Sequence, residues 1–448
     1  MSDSMPANVA RGGLGQLLRR PEVRGIATVA VIKATMVALN FTLIALAART
    51  LDTVGFGYYS ILFSAAGLLL IVAAAGQELF VIRAWSEFTA EHDAARMKGV
   101  FGFTVTMCTA ASALIVAIFY PWAAASFGAA IALAVTCFLV CSAVLQVTAH
   151  LMRAAMGVAI GDGLGSVMQV LPAIVYLATC LLTGTETTVA GVFVFLALGA
   201  FTGFAIHVGL MWRLVWRLFP DIGSVRAITH RKEWFGRSFR LWISTALEAT
   251  NQYIDVLIIG YLMSPAVAGA YFVTVRLANL FAAAADSINL FATRHFSGLY
   301  YRKDQKALDA LLDSVAWITI AFIVTGAVGI LGGGYFALWF INPAYTDYFP
   351  ELLVLCFGTA ALAIARPCGS ILMLTGNEGR YLRIIAGSVA LRVVALFVLT
   401  PLFGVMGAVC ASAGSFILAA GAMRRATKAT TGLDASILRL AKRRKAAA

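Results

Sequence analysis

The sequence is poor in charge. Of its 448 residues only 12% are Asp, Glu, Lys or Arg, against about 25% in a soluble globular protein. It is also poor in the patterns that carry catalysis. There is no Gly-rich phosphate loop of the Walker type, so that class of ATPase is excluded. There is no HExxH, and no GxSxG with suitable partners. The seven cysteines, at 108, 137, 141, 180, 356, 368 and 410, form no CxxC pair and stand beside no histidine. They read as small packing residues rather than metal ligands or disulfides. No cofactor and no metal is expected, and the chain reads as something other than an enzyme.

What is present is apolar. Hydrophobic residues make up 61% of the chain and the mean hydropathy is +0.88. No soluble fold hides that much apolar surface, so lipid is the solvent for most of it. The apolar runs are long and continuous, whereas a membrane barrel needs short alternating segments. An α-helical membrane protein remains, because a helix satisfies its own backbone inside a bilayer. At about 20 residues per span, the sequence predicts twelve. They cover 26–48, 57–80, 100–119, 124–147, 155–182, 188–211, 241–262, 267–292, 312–331, 351–374, 382–400 and 404–423. The first is read as an uncleaved span rather than a signal peptide, because Lys33 interrupts it and it is too long for such a segment.

The net charge of +13 has a topological explanation that does not involve nucleic acid. With these spans, 29 of the 34 basic residues fall in segments on one side, and Arg49 alone falls on the other. Basic residues mark cytoplasmic loops, so both termini are placed in the cytoplasm. The organisation is then a cytoplasmic N-terminal segment 1–25, a first six-helix bundle 26–211, a basic linker 212–240, a second bundle 241–423 and a basic tail 424–448. The loop 331–350 is aromatic and nearly uncharged, as suits an outer interfacial belt. The tail 433–445 reads either as a basic helix on anionic lipid or as a solvated topology signal.

The two halves are weakly alike. The stretch from Ala48 to Tyr59 lies over that from Gly260 to Tyr271, and both end in Gly-x-Tyr. Ala190-Gly191-Val192 and Met406-Gly407-Ala408 open the last span of each half. Each half starts and finishes on the same side, so the repeat is parallel, as in some alternating-access transporters.

Several of these stretches carry a family resemblance. Leu46 to Leu51 followed by Gly55-Phe56-Gly57-Tyr58-Tyr59 resembles the opening of the polysaccharide-biosynthesis transporters, the Wzx-type oligosaccharide flippases. Gly76 to Arg83 resembles the end of their second span. Asp255 to Gly260, with Gly269-Ala270-Tyr271 and Arg276-Leu277, resembles the start of their second half. Pro401 to Ala408 resembles the turn before their last span. The resemblance implies the MATE-like fold of the multidrug/oligosaccharidyl-lipid/polysaccharide exporter superfamily, two six-helix bundles around a central cavity. It implies a cargo of polyprenyl-diphosphate-linked oligosaccharide, crossing the bacterial inner membrane for exopolysaccharide, capsule or O-antigen export. Membrane lipids, a coupling H⁺ or Na⁺, and other polysaccharide-export proteins are the partners it suggests. Lipid II flippases of this superfamily usually have two further spans, which are not found here.

A charge at mid-bilayer costs roughly 2.5–3.5 kcal/mol, so each one within a span needs a partner, a wet cavity or a task. Counting from the Ser264-Pro265 turn, Asp255 and Arg276 come within about 3 Å in height, so a pair between them is feasible, either locking the hairpin or opening when cargo arrives. Lys33, Arg366 and Arg392 have no obvious partner along the chain. Either they line the cavity with Arg276 and hold a diphosphate by bidentate contacts, or they pair with Glu248, Asp162 or Glu78. Asp162, Glu248, Asp255 and Asp286 either bind a coupling cation or balance nearby bases. Arg83, Arg153 and Arg294 stand at inner span ends, as cytoplasmic entrance residues or as topology signals. His207 reads as a satisfied interior group. The competing readings are a cation-coupled antiporter of small molecules or drugs with the same fold, and a membrane glycan polymerase. The latter would carry a large, catalytic outer loop.

Overall fold

The computed structural model describes residues 21–279 and 304–437, together with 296, 299, 300, 302, 439 and 440. Twelve α-helices and no strand occur among the described residues. In the first half they are α1 (Pro21–Thr50), α2 (Thr53–Ala74), α3 (Gln77–Ala90), α4 (Ala94–Phe127), α5 (Ala129–Met156), α6 (Gly165–Thr183) and α7 (Val189–Leu218). In the second half they are α8 (Arg231–Leu262), α9 (Pro265–Ala278), α10 (Gln305–Ile341), α11 (Phe349–Leu374) and α12 (Glu378–Thr431).

Nine helical segments among the described residues are long and apolar enough to cross a membrane. One of them joins α2 and α3 as a single span. Another, α12, is two helices across a kink at Gly404, whose φ of 61° and ψ of −144° are not helical. Adding α8, which Glu248 and Asp255 make more polar, and the short apolar α9 gives a helix at each of the twelve spans read from the sequence, although residues 280–292 of the eighth lie outside the described residues. Large apolar side chains such as Leu114, Ile118, Leu182 and Phe357 face outwards, as lipid-facing surface requires.

Local sequence sets the helix starts. The Asp52 carboxylate accepts from the Gly55 N–H (3.2 Å) and that of Asp93 from Arg96 N–H (2.8 Å). Thr188 Oγ1 accepts from Gly191 N–H (3.0 Å) and Ser264 Oγ from Val267 N–H (3.3 Å). Each satisfies a backbone donor that has no partner within its helix. These caps stand in the short turns where a chain reversing in a membrane has no neighbouring helix to supply an acceptor.

Five departures from the sequence reading stand out. The second span is broken at Ala75 and Gly76, both in the left-handed region at φ 50° and 72°. The fifth span opens with a π-helical turn, Ala159–Leu164, after Gly157 at φ 93°. The proposed outer loop 331–350 is largely helix: α10 runs to Ile341 and a 3₁₀ turn covers Pro343–Tyr348. The basic linker 212–240 is ordered and packed on the first half. Lys98 Nζ donates to the carbonyls of Gly223 (3.1 Å) and Val225 (2.9 Å), Ile228 N–H donates to Ala95 (3.1 Å), and α8 has already begun at Arg231. The described part of the tail, 433–437 with 439 and 440, is neither solvated nor laid on a lipid surface: Arg439 is only 8% exposed and paired to Asp309 (2.7 Å) and Asp313 (2.8 Å) of α10, while 438 and the basic residues 442–445 lie outside the described residues.

The halves meet through α2, which packs against α8 and α9. At the end away from most of the basic residues this contact is dry and aromatic. Phe56 and Tyr59 of α2 are fully buried against Phe272, and Tyr345 closes over Phe56 at 6.1 Å. At the basic end Trp234 of α8 is buried among Phe80, Phe88 and Phe103 of the first half. Between these two contacts the halves separate.

Candidate functional site

A cavity of about 870 Å³ fills that gap. Its described wall is made by α2, α3, α5 and α6 on one side and by α8, α11 and α12 on the other. Its chemistry changes with depth. Arg83, Arg237, Arg240 and Glu378 stand exposed at the basic end. Further in come His150, Gln146, Gln169 and Gln252, with Glu78 and Glu248. Phe63, Phe138 and Tyr253 lie among the deeper wall residues.

The basic groups at the mouth are not equivalent. Arg237 is engaged by Glu87 (3.3 Å) and Glu233 (2.6 Å). Arg83 and Arg240 form no ion pair among the described residues. Higher up, Gln169 Nε2 donates to Ser142 Oγ (3.0 Å), which holds the amide in place. Tyr253 is held by a close approach: its ring lies where a Cβ on Gly67 would stand, 2.7 Å from Cζ. Only glycine at 67 lets the first half seat this aromatic of the second.

The sequence-derived candidates divide between this wall and other places. Arg83 and Glu248 are on the wall. Arg392 is not. It is completely buried, with Nε 3.2 Å from Asp255 Oδ1, Nη2 donating to Asn251 O (3.0 Å) and its guanidinium over Phe416. Its expected cavity role is corrected, and so is the Asp255–Arg276 pair. Asp255 belongs to Arg392, and its second oxygen accepts from Ser412 Oγ (2.7 Å) and Tyr271 OH (3.3 Å). Height along a hairpin did not decide the partner, because α12 offers a guanidinium inside the same bundle.

Arg276 takes an aromatic setting instead. Its guanidinium lies over Phe272 (4.9 Å), Tyr253 (5.4 Å) and Phe63 (5.7 Å). Cation–π attraction is strongest where water is excluded. Phe63 and Tyr253 are themselves wall residues, so Arg276 sits just behind the wall. Lys33 is exposed on α1 and is not itself a wall residue, although it lies close enough to the wall residue His150 to act on it electrostatically. Arg366 is half-buried beside Pro367 on α11, also off that wall.

Asp162 and Arg153 pair with each other at 2.7 Å, which uses both at the inner end of the first half. Asp286 and Arg294 lie outside the described residues. His207 is buried and satisfied, with Nε2 3.0 Å from the Ile160 carbonyl.

Several wall residues were missed by the sequence reading. Gln146, Gln169 and Gln252 are amides inside apolar spans, a signal as informative as an intramembrane charge. Glu78 was noted only as a possible partner for a base. It is 1% exposed, and neither carboxylate oxygen has a hydrogen-bond partner.

Among known proteins, a family model described as polysaccharide biosynthesis protein matches residues 46–347. No curated protein sequence matches the chain. Solved structures resemble it in fold. A multidrug-resistance MATE-family transporter of the MOP superfamily in an inward-facing conformation aligns with a TM-score of 0.69 at 13% identity, over 90% of this chain and 99% of that one. The lipid II flippase MurJ, in an inward closed conformation, aligns with a TM-score of 0.68 at 11% identity, over 90% of this chain and 87% of that one. A MOP-superfamily transporter from Pyrococcus furiosus aligns with a TM-score of 0.58 at 13% identity, over 92% and 97%.

Proposed function

The chain belongs to the polysaccharide biosynthesis protein family, and from that premise we propose that it is a flippase for polyprenyl-diphosphate-linked oligosaccharide. It is a multi-pass membrane protein with the MATE-like fold, and its family and fold relatives are transporters and flippases rather than enzymes. In this reading the basic end is cytoplasmic. Cargo enters the cavity there and leaves towards the outer leaflet of a bacterial inner membrane when the halves rock.

The observation that carries this reading is the graded wall of the cavity. Its volume of about 870 Å³ lies in the range of pockets that enclose a small ligand, about 300–1,000 Å³. It suits a diphosphate with a few sugars, while the polyprenyl tail stays in lipid. Arg83 and Arg240 at the mouth offer forked donors to phosphate oxygens. Gln146, Gln169 and Gln252 offer donors and acceptors to sugar hydroxyls. Phe63, Phe138 and Tyr253 offer flat apolar faces to the C–H faces of sugar rings. Lys33, Arg366 and Arg276 are secondary bases in this scheme, acting if the wall rearranges during transport. Glu248 and Asp286 are carried forward as candidates for coupling to H⁺ or Na⁺. Asp162 and Asp255, each already neutralised by an arginine, are not.

Deletion of the gene in its host tests the proposal. Lipid-linked repeat units should accumulate on the cytoplasmic leaflet while the exported glycan disappears. Wild-type protein should restore export, and a charge-reversed Arg83→Glu/Arg240→Glu variant, present at normal level in the membrane, should not. Unchanged export in the deletion strain, or full restoration by the variant, would sink it.

A further inference from the structure

We propose that Glu78 is a proton-binding site, holding a proton while the cavity is open at the basic end and releasing it to cavity water when the halves rearrange. The inference rests on the alternating-access reading above. It adds a site that the family and the fold likenesses do not assign.

The geometry is unusual for a carboxylate. Glu78 lies at the second position of α3, directly after the Ala75–Gly76 break. It borders the cavity, yet it is 1% exposed and both oxygens lack a hydrogen-bond partner. The Thr245 hydroxyl of α8 and the backbone N–H of Glu78 itself approach the carboxyl, but neither makes a hydrogen bond of normal geometry to it, and Thr245 donates within its own helix, to the Trp242 carbonyl at 3.0 Å. An ionised carboxylate stripped of water and left unpaired is strongly disfavoured. The start of a helix favours negative charge, but only weakly by comparison. Among the described residues Glu78 belongs to no group of three or more Asp, Glu, His or Cys. A proton needs only the carboxyl itself.

The surroundings leave the proton a route. Arg83 follows on the same helix, and Arg237, Arg240 and Glu248 of α8 share the wall with Glu78. His150 of α5 lies on the same side of the cavity as Glu78, Glu378 and Tyr381 of α12 lie across it, and behind Glu78 lies the Cys108 thiol of α4. None of these forms an ion pair with Glu78 here. A rearrangement that admitted water, or brought Arg83 or Arg240 closer, would favour loss of the proton.

The position also explains why occupancy would matter. Gly76 packs against the Ser238 carbonyl of α8, where a Cβ has no room. Gln77 donates to Ser238 Oγ (3.0 Å) and accepts from Thr104 Oγ1 (3.1 Å). The break in the second span is thus clasped to the second half immediately beside Glu78. A left-handed alanine at Ala75 is strained, as a segment that changes conformation during transport would be.

The test needs no cargo, so its failure is separable from failure of the flippase reading. Purified full-length protein is treated with an apolar carbodiimide, which adds the O–H of a protonated carboxyl across its C=N bond. The acylisourea formed then rearranges to a stable acylurea. Peptide mass mapping should find Glu78 modified, with labelling falling as pH rises, while the exposed Glu248 and Glu378 stay largely free. Infrared difference spectra between acid and alkaline samples should show a titrating carboxyl C=O band that is lost in Glu78→Gln and returns, displaced, in Glu78→Asp. Failure of Glu78 to label while Glu248 or Glu378 does would overturn the proposal. So would an unchanged band pattern in Glu78→Gln. The labelling uses the wild-type chain, so the answer does not depend on either variant folding.

Discussion

Gly57 and Gly269, matching positions of the two halves, lie against each other. A Cβ on Gly269 would stand 3.3 Å from Gly57 Cα and 3.0 Å from Phe56 Cδ1. A Cβ on Gly57 would fall on the Pro265 carbonyl. The Gly-x-Tyr motif that repeats in the sequence is therefore where the repeats touch. Glycine lets the two backbones approach, as small residues do wherever helices pack closely in a membrane. The following Tyr59 and Tyr271 are fully buried. Arg49 adds a strap at the same end, donating from Nε to the Phe340 carbonyl at 2.7 Å and lying over the Phe340 ring.

This contact predicts a conformational variant. Gly57→Leu should prevent closure of the end away from the cavity mouth. Overpacking costs about 1–3 kcal/mol, enough to shift a two-state balance by roughly 5–150-fold. In a protein whose native cysteines have been replaced, Ser60→Cys should be silent to a water-soluble thiol reagent and become reactive when Gly57→Leu is added. Ser60 is fully buried in the closed arrangement. Unchanged protection would mean that the glycine contact does not control that end.

The buried pair of Asp255 and Arg392 makes a second prediction. Leaving one buried charge without its partner costs about 3–5 kcal/mol, whereas replacing both can be nearly neutral. Arg392→Met and Asp255→Leu should each lower the thermal stability of the purified protein markedly. The double variant should recover most of the loss, a coupling that a double-mutant cycle measures. If Asp255 were instead the coupling carboxylate, the double variant would be stable and yet unable to transport. Stable protein with near-normal glycan export is expected.

How much of this was readable beforehand differs between the fold and the site. Span number and the parallel repeat follow from hydropathy and from glycine and tyrosine spacing, which are local properties. The partner of Asp255 is not local. It comes from α12, well over a hundred residues away, and pairing along the α8–α9 hairpin pointed to Arg276 instead. The same holds for Arg439, in a tail whose sequence reads either as a helix on anionic lipid or as a solvated topology signal, and whose partners Asp309 and Asp313 come from α10. Charge is a poor marker of the cavity in this protein. Arg392 and Asp162 are charged and spoken for, while Gln146, Gln169 and Gln252 are neutral and on the wall. A guanidinium deep in a span is costly enough to be satisfied internally, so it is a poor guide to open space.

The folded tail has a pH signature. Asp434 is partly buried, which alone would raise its carboxyl. The hydrogen bonds from Arg424 (2.7 and 3.2 Å) and Ser436 (2.6 Å) outweigh that and hold it down at about 2. A carboxylate with a depressed folded value contributes stability that is complete above its ordinary range and lost as pH falls towards about 2. The group is partly solvated, so screening limits the contribution to about 1 kcal/mol. Asp434→Asn should remove it. The variant should lose thermal stability at neutral pH and match the wild type under strongly acid conditions, as measured by unfolding scans across pH. Equal stability of the two proteins at every pH would show that the tail contact adds nothing.

The deeper part of the cavity makes the most demanding prediction, because it separates sugar recognition from phosphate recognition. If Gln169, Gln252 and Tyr253 meet the sugars while Arg83 and Arg240 meet the diphosphate, the two groups should fail differently. Tyr253→Leu and Gln169→Leu should weaken binding of the native lipid-linked oligosaccharide while leaving binding of a polyprenyl diphosphate bearing one sugar nearly unchanged. An unmade or unpaired hydrogen bond in such a site costs about 1–3 kcal/mol, or roughly 5–150-fold in affinity. Arg83→Gln with Arg240→Gln should weaken both ligands alike and flatten their dependence on salt, since fewer charge–charge contacts to the diphosphate remain for salt to screen. The measurement is titration of purified protein with the two lipid-linked ligands at low and moderate ionic strength. Equal losses for both ligands in every variant would mean that the wall does not grade from phosphate to sugar, and the assignment of its upper half would have to be withdrawn.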